Sequence, residues 1–301
     1  MVDSAAAAAA AMTSLEEHDV FAVDLEGVEL GRGGTISILQ VRALFGGLCT
    51  VSHSPPQVAV QAADGVCDVY IFDILMLGAD AFTSGLGAML GSSRALKLMF
   101  DARSDADALW HGWRVQLKGV FDIQIAHVLA FASNSRYLPS LLSVIEHSSG
   151  VSEAERSRAR AAKTSGPTIG ADGCYNSRVW LQRPLEANLL KYAAGDVAVL
   201  LPLYRHTGAA LQMQLVADDV VMQMSHRRIV ACTGSSAALP RGSERDFYED
   251  FVSDAQAAND SLQKLIGVLR ERYFYCLWCK VAYNCKDDMS QLCPGTDEDD
   301  H

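Results

Sequence analysis

Three apolar stretches of this chain carry carboxylates that would have to be buried with them, and no other feature constrains its fold as strongly. Asp24 and Glu26 stand in FAVDLEGVELGRGG, Asp105 in LMFDARSDADAL, and Asp196 in LLKYAAGDVAVLLPLY, where Tyr192 precedes it by one helical turn. An ionised carboxylate taken into an apolar interior is costly unless a partner neutralises it. No cluster of Lys or Arg lies beside these stretches to do so. Hard, oxygen-seeking Mg²⁺ or Mn²⁺ would, with water and a substrate phosphate completing the shell. The chain therefore has to bring three separated elements to one point.

Hydrophobic periodicity places those elements. Asp19 to Leu25 alternates and is rich in Val and Phe, which predicts a strand; the glycines from Gly27 to Gly34 turn it into a second strand, Thr35 to Val41. Further strands are expected at Val69 to Ile74, Ala95 to Phe100 and Gly119 to Asp122. Helices are expected from about Ala81 to Leu90, from near Ser104, at Ile123 to Phe131, near Leu138 to Glu146, and finally from about Glu186 to Leu201, ending at Pro202. A long basic loop would precede that last helix, and residues 45–65, with Pro55 and Pro56, read as an irregular insertion. A hairpin followed by alternating strands and helices implies an α/β domain with a mixed five-stranded sheet flanked by helices.

On that framework the spacings acquire chemical sense. Asp24 and Glu26 are two apart and share one face of a strand, while Tyr192 and Asp196 are four apart and share one face of a helix. The duller alternatives are surface charges at a strand end for Asp24 and Glu26, and a surface charge on a helix for Asp196. Asp101 and Asp107 compete with Asp105: Asp101 lies at the strand end and can cap the next helix, and Asp107 should face away from Asp105 toward solvent. Asp122 is read as a structural cap of the helix that follows it.

These residues resemble the motifs of the DEDDy 3′-5′ exonuclease superfamily, the RNase D-like nucleases, and within it the Egalitarian-like branch. The run Asp24-Leu25-Glu26-Gly27-Val28-Glu29-Leu30-Gly31-Arg32-Gly33, followed by ISILQV, matches the first motif, and WLQRPL upstream of Tyr192 is a secondary match. The likeness covers roughly residues 18 to 210. It implies an RNase H-like fold and two-metal hydrolysis of phosphodiesters at 3′ ends, with release of nucleoside 5′-monophosphates. Asp24 would bridge both Mg²⁺ or Mn²⁺ ions, Glu26 and Asp196 would complete the first, Asp105 would hold the second through water, and Tyr192 would orient the attacking water. Alignment to the second motif favours Asp105 over its neighbours. One departure is Phe100, where relatives often carry histidine.

The net charge of −11 argues at first against a nucleic-acid partner, but residues 241–301 hold 13 acids against 7 bases and so supply −6 of it. Between residues 156 and 191 the balance reverses, with Arg156, Arg158, Arg160, Lys163, Arg178, Arg183 and Lys191 opposed by Asp172 and Glu186. This segment reads either as a track for a phosphate backbone or as a solvated helix face and loop. The opening MVDSAAAAAAAMTS has no basic n-region and reads as a disordered, alanine-rich tail over residues 1–17. No run of about 18 apolar residues predicts a membrane span.

After an exonuclease domain at 18–232 and a linker at 233–244, residues 245–301 form a second signal. An amphipathic helix leads into YFYCLWCKVAYNCKDDMSQLCPGTDEDDH, where Cys276 and Cys279 form a CxxC, Cys293 follows after 13 residues and His301 after seven more. Such spacing suits a closed, tetrahedral Zn²⁺ site; a redox CxxC is the alternative. The stretch resembles the small cysteine-rich domain that ends certain G-patch proteins, which implies Cys276, Cys279, Cys293 and His301 as ligands, with Cys285 a fifth candidate. The scattered Cys49, Cys67, Cys174 and Cys232 fit a reducing, intracellular compartment, nucleus or cytoplasm.

The expectation is thus a metal-dependent 3′-5′ exonuclease acting on single-stranded RNA or DNA ends, RNA favoured by the family likeness. The zinc-binding module would dock RNA-processing proteins. The rival expectation is a non-catalytic RNA-binding adaptor that keeps the fold as a scaffold, and a third makes the tail the functional end.

Overall fold

The computed structural model describes residues 1–44, 69–131, 138–167, 176–213, 216–234, 275–276, 281–282, 289–291 and 293. Helix α1 (Ala5–Leu15) precedes strands β1 (Val20–Val28), β2 (Thr35–Leu44) and β3 (Val69–Asp73). Short helices α2 (Ile74–Leu77), α3 (Ala79–Ala81) and α4 (Gly87–Gly91) follow, the last two joined by a π-helical stretch (Phe82–Leu86). Strand β4 (Leu96–Met99), helix α5 (Arg103–Trp113) and strand β5 (Val120–Asp122) come next. Helices α6 (Ile123–Phe131), α7 (Leu141–His147) and α8 (Glu153–Ser165), a 3₁₀ turn (Ser177–Leu181), and helices α9 (Ala187–Ala198), α10 (Leu200–Met213) and α11 (Asp218–Gly234) complete the first of two units, Met1–Arg241. In the second, Gly242–His301, strands β6 (Tyr275–Cys276) and β7 (Val281–Ala282) pair antiparallel.

The five strands form one mixed sheet, as the succession of hairpin, strands and helices predicts, in the order β3-β2-β1-β4-β5. β1 pairs antiparallel with β2 and parallel with β4. Its first four residues are buried on both faces, and alternation sets in only where Asp24 and Glu26 reach the end of the core. There the register shifts between Glu26 and Gly27, leaving Ser37 as the extra residue on β2. A Cβ at Gly27 would lie 2.0 Å from the Thr35 carbonyl oxygen, so the bulge admits only glycine. One face of the sheet, with Phe21, Val23, Leu39 and Phe72, packs against Leu15, Leu86 and Leu109. The other sets Ile38 and Ile71 against Trp180, Leu189 and Ala193. Arg183 fixes the 3₁₀ turn to this face, donating to both carboxylate oxygens of Asp73 and to the Trp180 carbonyl.

At the start of β4, Lys97 is fully buried and its ammonium donates to the carbonyls of Met89, Ser92 and Ala95 at 3.3, 2.5 and 2.7 Å. It thereby satisfies acceptors around the end of α4, and burial lowers its pKa to about 7.

Three expectations are corrected. The alanine run is no fraying tail: Ser4 caps it by accepting from the Ala7 amide, and Ala8, Ala11, Met12 and Leu15 are buried in the core. Alanine has the highest helix propensity, and tertiary packing supplies what a short isolated helix lacks. Ahead of it Val2 exchanges hydrogen bonds of 2.8 Å with Ile71 and Asp73, covering the outer edge of β3. The basic loop contains a helix, α8, opened by a capping box between Ser152 and Glu155. Pro202 does not end the last helix; it sits in the first turn of α10, where an amide has no intrahelical partner anyway. The expected insertion at 45–65 lies outside the described residues.

Because Leu15 is only 1 % exposed, Leu15→Ala is expected to destabilise the protein by about 2–5 kcal/mol in urea unfolding. A loss below about 0.5 kcal/mol is what a solvated tail would give.

Candidate active site

Of the five residues singled out in sequence, Asp24, Glu26 and Asp196 come together at the end of the sheet, with Asp105 and Tyr192 beside them. Asp24 and Glu26 extend from β1 and Asp196 from α9, and one carboxylate oxygen of each lies within 4.8 Å of the others. Asp105, in the first turn of α5, stands close enough for its charge and that of Asp24 to repel. Tyr192 donates to Asp196 through its hydroxyl.

Crowding and burial govern the protonation of this cluster. Burial first, and then the charge of Asp196, raise the Asp24 pKa to about 8. Burial and the Asp24 charge push Glu26 and Asp105 well above the usual carboxylate range. Asp196 is raised by burial, and Lys163 opposes the rise. A set of hard oxygen donors that cannot all ionise together is the chemistry a divalent ion relieves. A second observation agrees: Gln40 pairs with Asp24 across β1 and β2, is fully buried, and its amide oxygen and nitrogen have no hydrogen-bond partner among the described residues. A buried polar group of this kind calls for a water or an ion beside it. Asp24, Glu26 and Asp196, with Asp105 alongside, thus fit Mg²⁺ or Mn²⁺.

Lys163 is the residue that the sequence named only as one of several bases. From the last turn of α8 its ammonium donates to Asp196 Oδ2 at 2.7 Å and to the Tyr192 hydroxyl at 3.1 Å, and lies 4.3 Å from the centre of the Tyr192 ring. Two glycines allow this approach. A Cβ at Gly166 would fall 2.2 Å from Tyr192 Cδ2, and one at Gly195 would fall 2.9 Å from Ala162 Cβ, so α8 lies directly on α9. Of the other bases in the segment, Arg156 and Arg160 pair with Glu153 and Glu146, and Arg183 is held by Asp73. Among the described residues Arg158, Arg178 and Lys191 are exposed and make no ion pair.

Two buried networks brace the cluster. Asp107 does not meet solvent as expected; it is 2 % exposed and binds the Arg32 amide at 2.6 Å and the Arg32 guanidinium at 3.1 Å. Arg32 also donates to the Cys232 carbonyl, so the β1–β2 turn, α5 and α11 meet at one guanidinium. Asp122 accepts from the amides of Gln124 and Asp101, both at 3.0 Å, and from Arg228 at 2.8 Å. It caps α6 and also ties α11 to the sheet. Asp101, at φ 56°, turns its carboxylate to Arg103 and Arg228.

Of the residues expected to hold zinc, Cys279 and His301 lie outside the described residues. Cys276 ends β6, and the Cys293 amide donates to the Met289 carbonyl at 3.0 Å. No described helix is long and apolar enough to cross a membrane.

A family profile described as 3′-5′ exonuclease matches residues 1–212, and a domain of unknown function (DUF4187) matches residues 249–301. The piRNA biogenesis protein EXD1 of Mus musculus is 32% identical over 203 residues, 64% of this chain and 30% of that protein. The chain therefore spans about a third of the length of this curated relative. Trypanosoma brucei RNase D superposes with a TM-score of 0.60 at 20% identity, covering 97% of both chains. The same enzyme in complex with RNA U12 gives 0.59 at 22%, covering 80% of this chain and 72% of that one. The fold is that of the RNase D-like exonucleases.

The raised carboxyls set a sign for stability. A carboxyl whose pKa is higher in the folded than in the unfolded state stabilises the protonated fold, and that contribution is lost as pH rises toward the folded value, about 8 for Asp24. Metal has to displace those protons. The rise in Tm on adding Mn²⁺ should therefore grow from about pH 5.5 to about pH 8 by calorimetry, and Asp24→Asn should flatten the trend; a rise that shrinks with pH would contradict the assignment.

Proposed function

We propose, on the premise that the chain belongs to the 3′-5′ exonuclease family, that it hydrolyses single-stranded nucleic acid from the 3′ end, RNA by preference, and releases nucleoside 5′-monophosphates. The observation that carries this reading is the convergence of Asp24, Glu26 and Asp196 within 4.8 Å, with Asp105 and Tyr192 beside them. RNA is favoured because the structural relative was crystallised with an RNA and the curated relative is named for piRNA biogenesis.

Divalent ions held by Asp24, Glu26, Asp105 and Asp196 would supply an activated water and stabilise the leaving oxygen. The chain's own residues do the positioning. Tyr192, clamped by Gly166 and Lys163, directs its hydroxyl into the cluster, where it can hold the attacking water. Exposed Arg158, Arg178 and Lys191 can follow the phosphates of the incoming strand. A scaffold freed from catalysis would gain nothing from four mutually repelling carboxylates, which weighs against an adaptor role. The tail is read as a zinc module held by Cys276, Cys279, Cys293 and His301 that docks RNA-processing proteins.

With a 5′-labelled single-stranded RNA and Mg²⁺ or Mn²⁺, a ladder shortening from the 3′ end is expected. EDTA should abolish it, and Asp24→Ala or Asp196→Ala should slow it by at least about two orders of magnitude while the protein stays folded. Tight binding with no cleavage would replace the enzyme by the adaptor. For the tail, Cys276→Ser together with Cys279→Ser should remove bound zinc, read by elemental analysis; unchanged zinc content would dismiss the site.

A further inference from the structure

Lys163 reaches the carboxylate cluster from a helix that none of the three acidic motifs contains. Its side chain is 23% exposed, the Asp196 side chain 10%, and the two are 2.7 Å apart. With Tyr192 donating to the same carboxylate, lysine, tyrosine and aspartate close a hydrogen-bonded triangle. The reach of the ammonium extends further, since its field also opposes the protonation of Asp24 and Glu26. It is therefore, among the described residues, a cation that the chain itself contributes to all three ligands.

We propose that Lys163 is a built-in counter-ion of the active site: with no metal bound it holds Asp196 and Tyr192 in place, and it yields Asp196 when a divalent ion arrives. A metal on the Asp196 carboxylate and an ammonium hydrogen-bonded to it would stand a few ångströms apart with charges of the same sign. The flexible lysine stem can withdraw from that oxygen while keeping its bond to the Tyr192 hydroxyl. The arrangement keeps the site assembled between loadings and lowers its affinity for metal. Lys163 is on this account a positioning residue, acting through Asp196 and Tyr192.

The proposal rests on the reading that the carboxylates hold divalent ions, and the test separates the two. Mn²⁺ binding to the full chain is followed by the electron paramagnetic resonance of the free ion, alongside thermal unfolding in EDTA and in saturating Mn²⁺. Lys163→Met should bind Mn²⁺ on the order of tenfold more tightly, and should melt several degrees lower than the parent in EDTA, with the gap closing in Mn²⁺. Lys163→Arg should restore both values toward the parent. Should Lys163→Met not fold in EDTA, Lys163→Gln, purified with Mn²⁺, carries the affinity measurement. Affinity that is unchanged or weaker in the neutral variants overturns the counter-ion role, whereas no Mn²⁺ binding by the parent overturns the metal site itself.

Discussion

Repulsion among four carboxylates is the constraint to which the rest of the first unit answers. Asp24, Glu26, Asp105 and Asp196 arrive from a central strand and two helices, and no pair of those elements could hold them together alone. What braces them is a surround of cations. Arg32 engages the carboxylate of Asp107 two residues beyond Asp105, Arg228 engages Asp101 and Asp122 at the ends of β4 and β5, and Lys163 engages Asp196 directly. Two of these bases stand on α8 and α11, helices that carry none of the acidic motifs. Those helices are as necessary to the site as the strand that opens it.

The acidic motifs were legible because their surroundings are regular. Apolar alternation gave the strands, spacings of two and four gave the shared faces, and burial turned charge into a signal. The supporting cations were illegible for the opposite reason. Arg228 lies 106 positions from Asp122 and Lys163 lies 33 from Asp196, and nothing in the intervening chain marks the pairs. Asp107 was assigned to solvent by helical geometry alone, which cannot see that Arg32 in the β1–β2 turn faces that side of α5.

Composition misled in two places. A run of seven alanines resembles low-complexity sequence, yet the small side chains are what let α1 bury one face closely against the core. The basic segment reads as a long loop, with a helix face only as the alternative, although Ser152 and Glu155 already spell a helix start. Once α8 is a helix, two of its four bases, Arg156 and Arg160, turn out to be committed to glutamates and a third, Lys163, to Asp196, and the basic surface available to a strand of phosphates shrinks to a few residues.

Lys97 shows a different consequence of burial. Burial lowers the pKa of the Lys97 amine to about 7 only while its corner is closed; exposed to water it would return to the ordinary lysine range and react with an acylating reagent as a surface lysine does. Enclosed by three carbonyl groups and fully covered, it is silent to such reagents for as long as β4 and the end of α4 stay closed. Its covalent labelling would therefore count the openings of that corner, which makes Lys97 a native clock for local unfolding in the scaffold that carries the site.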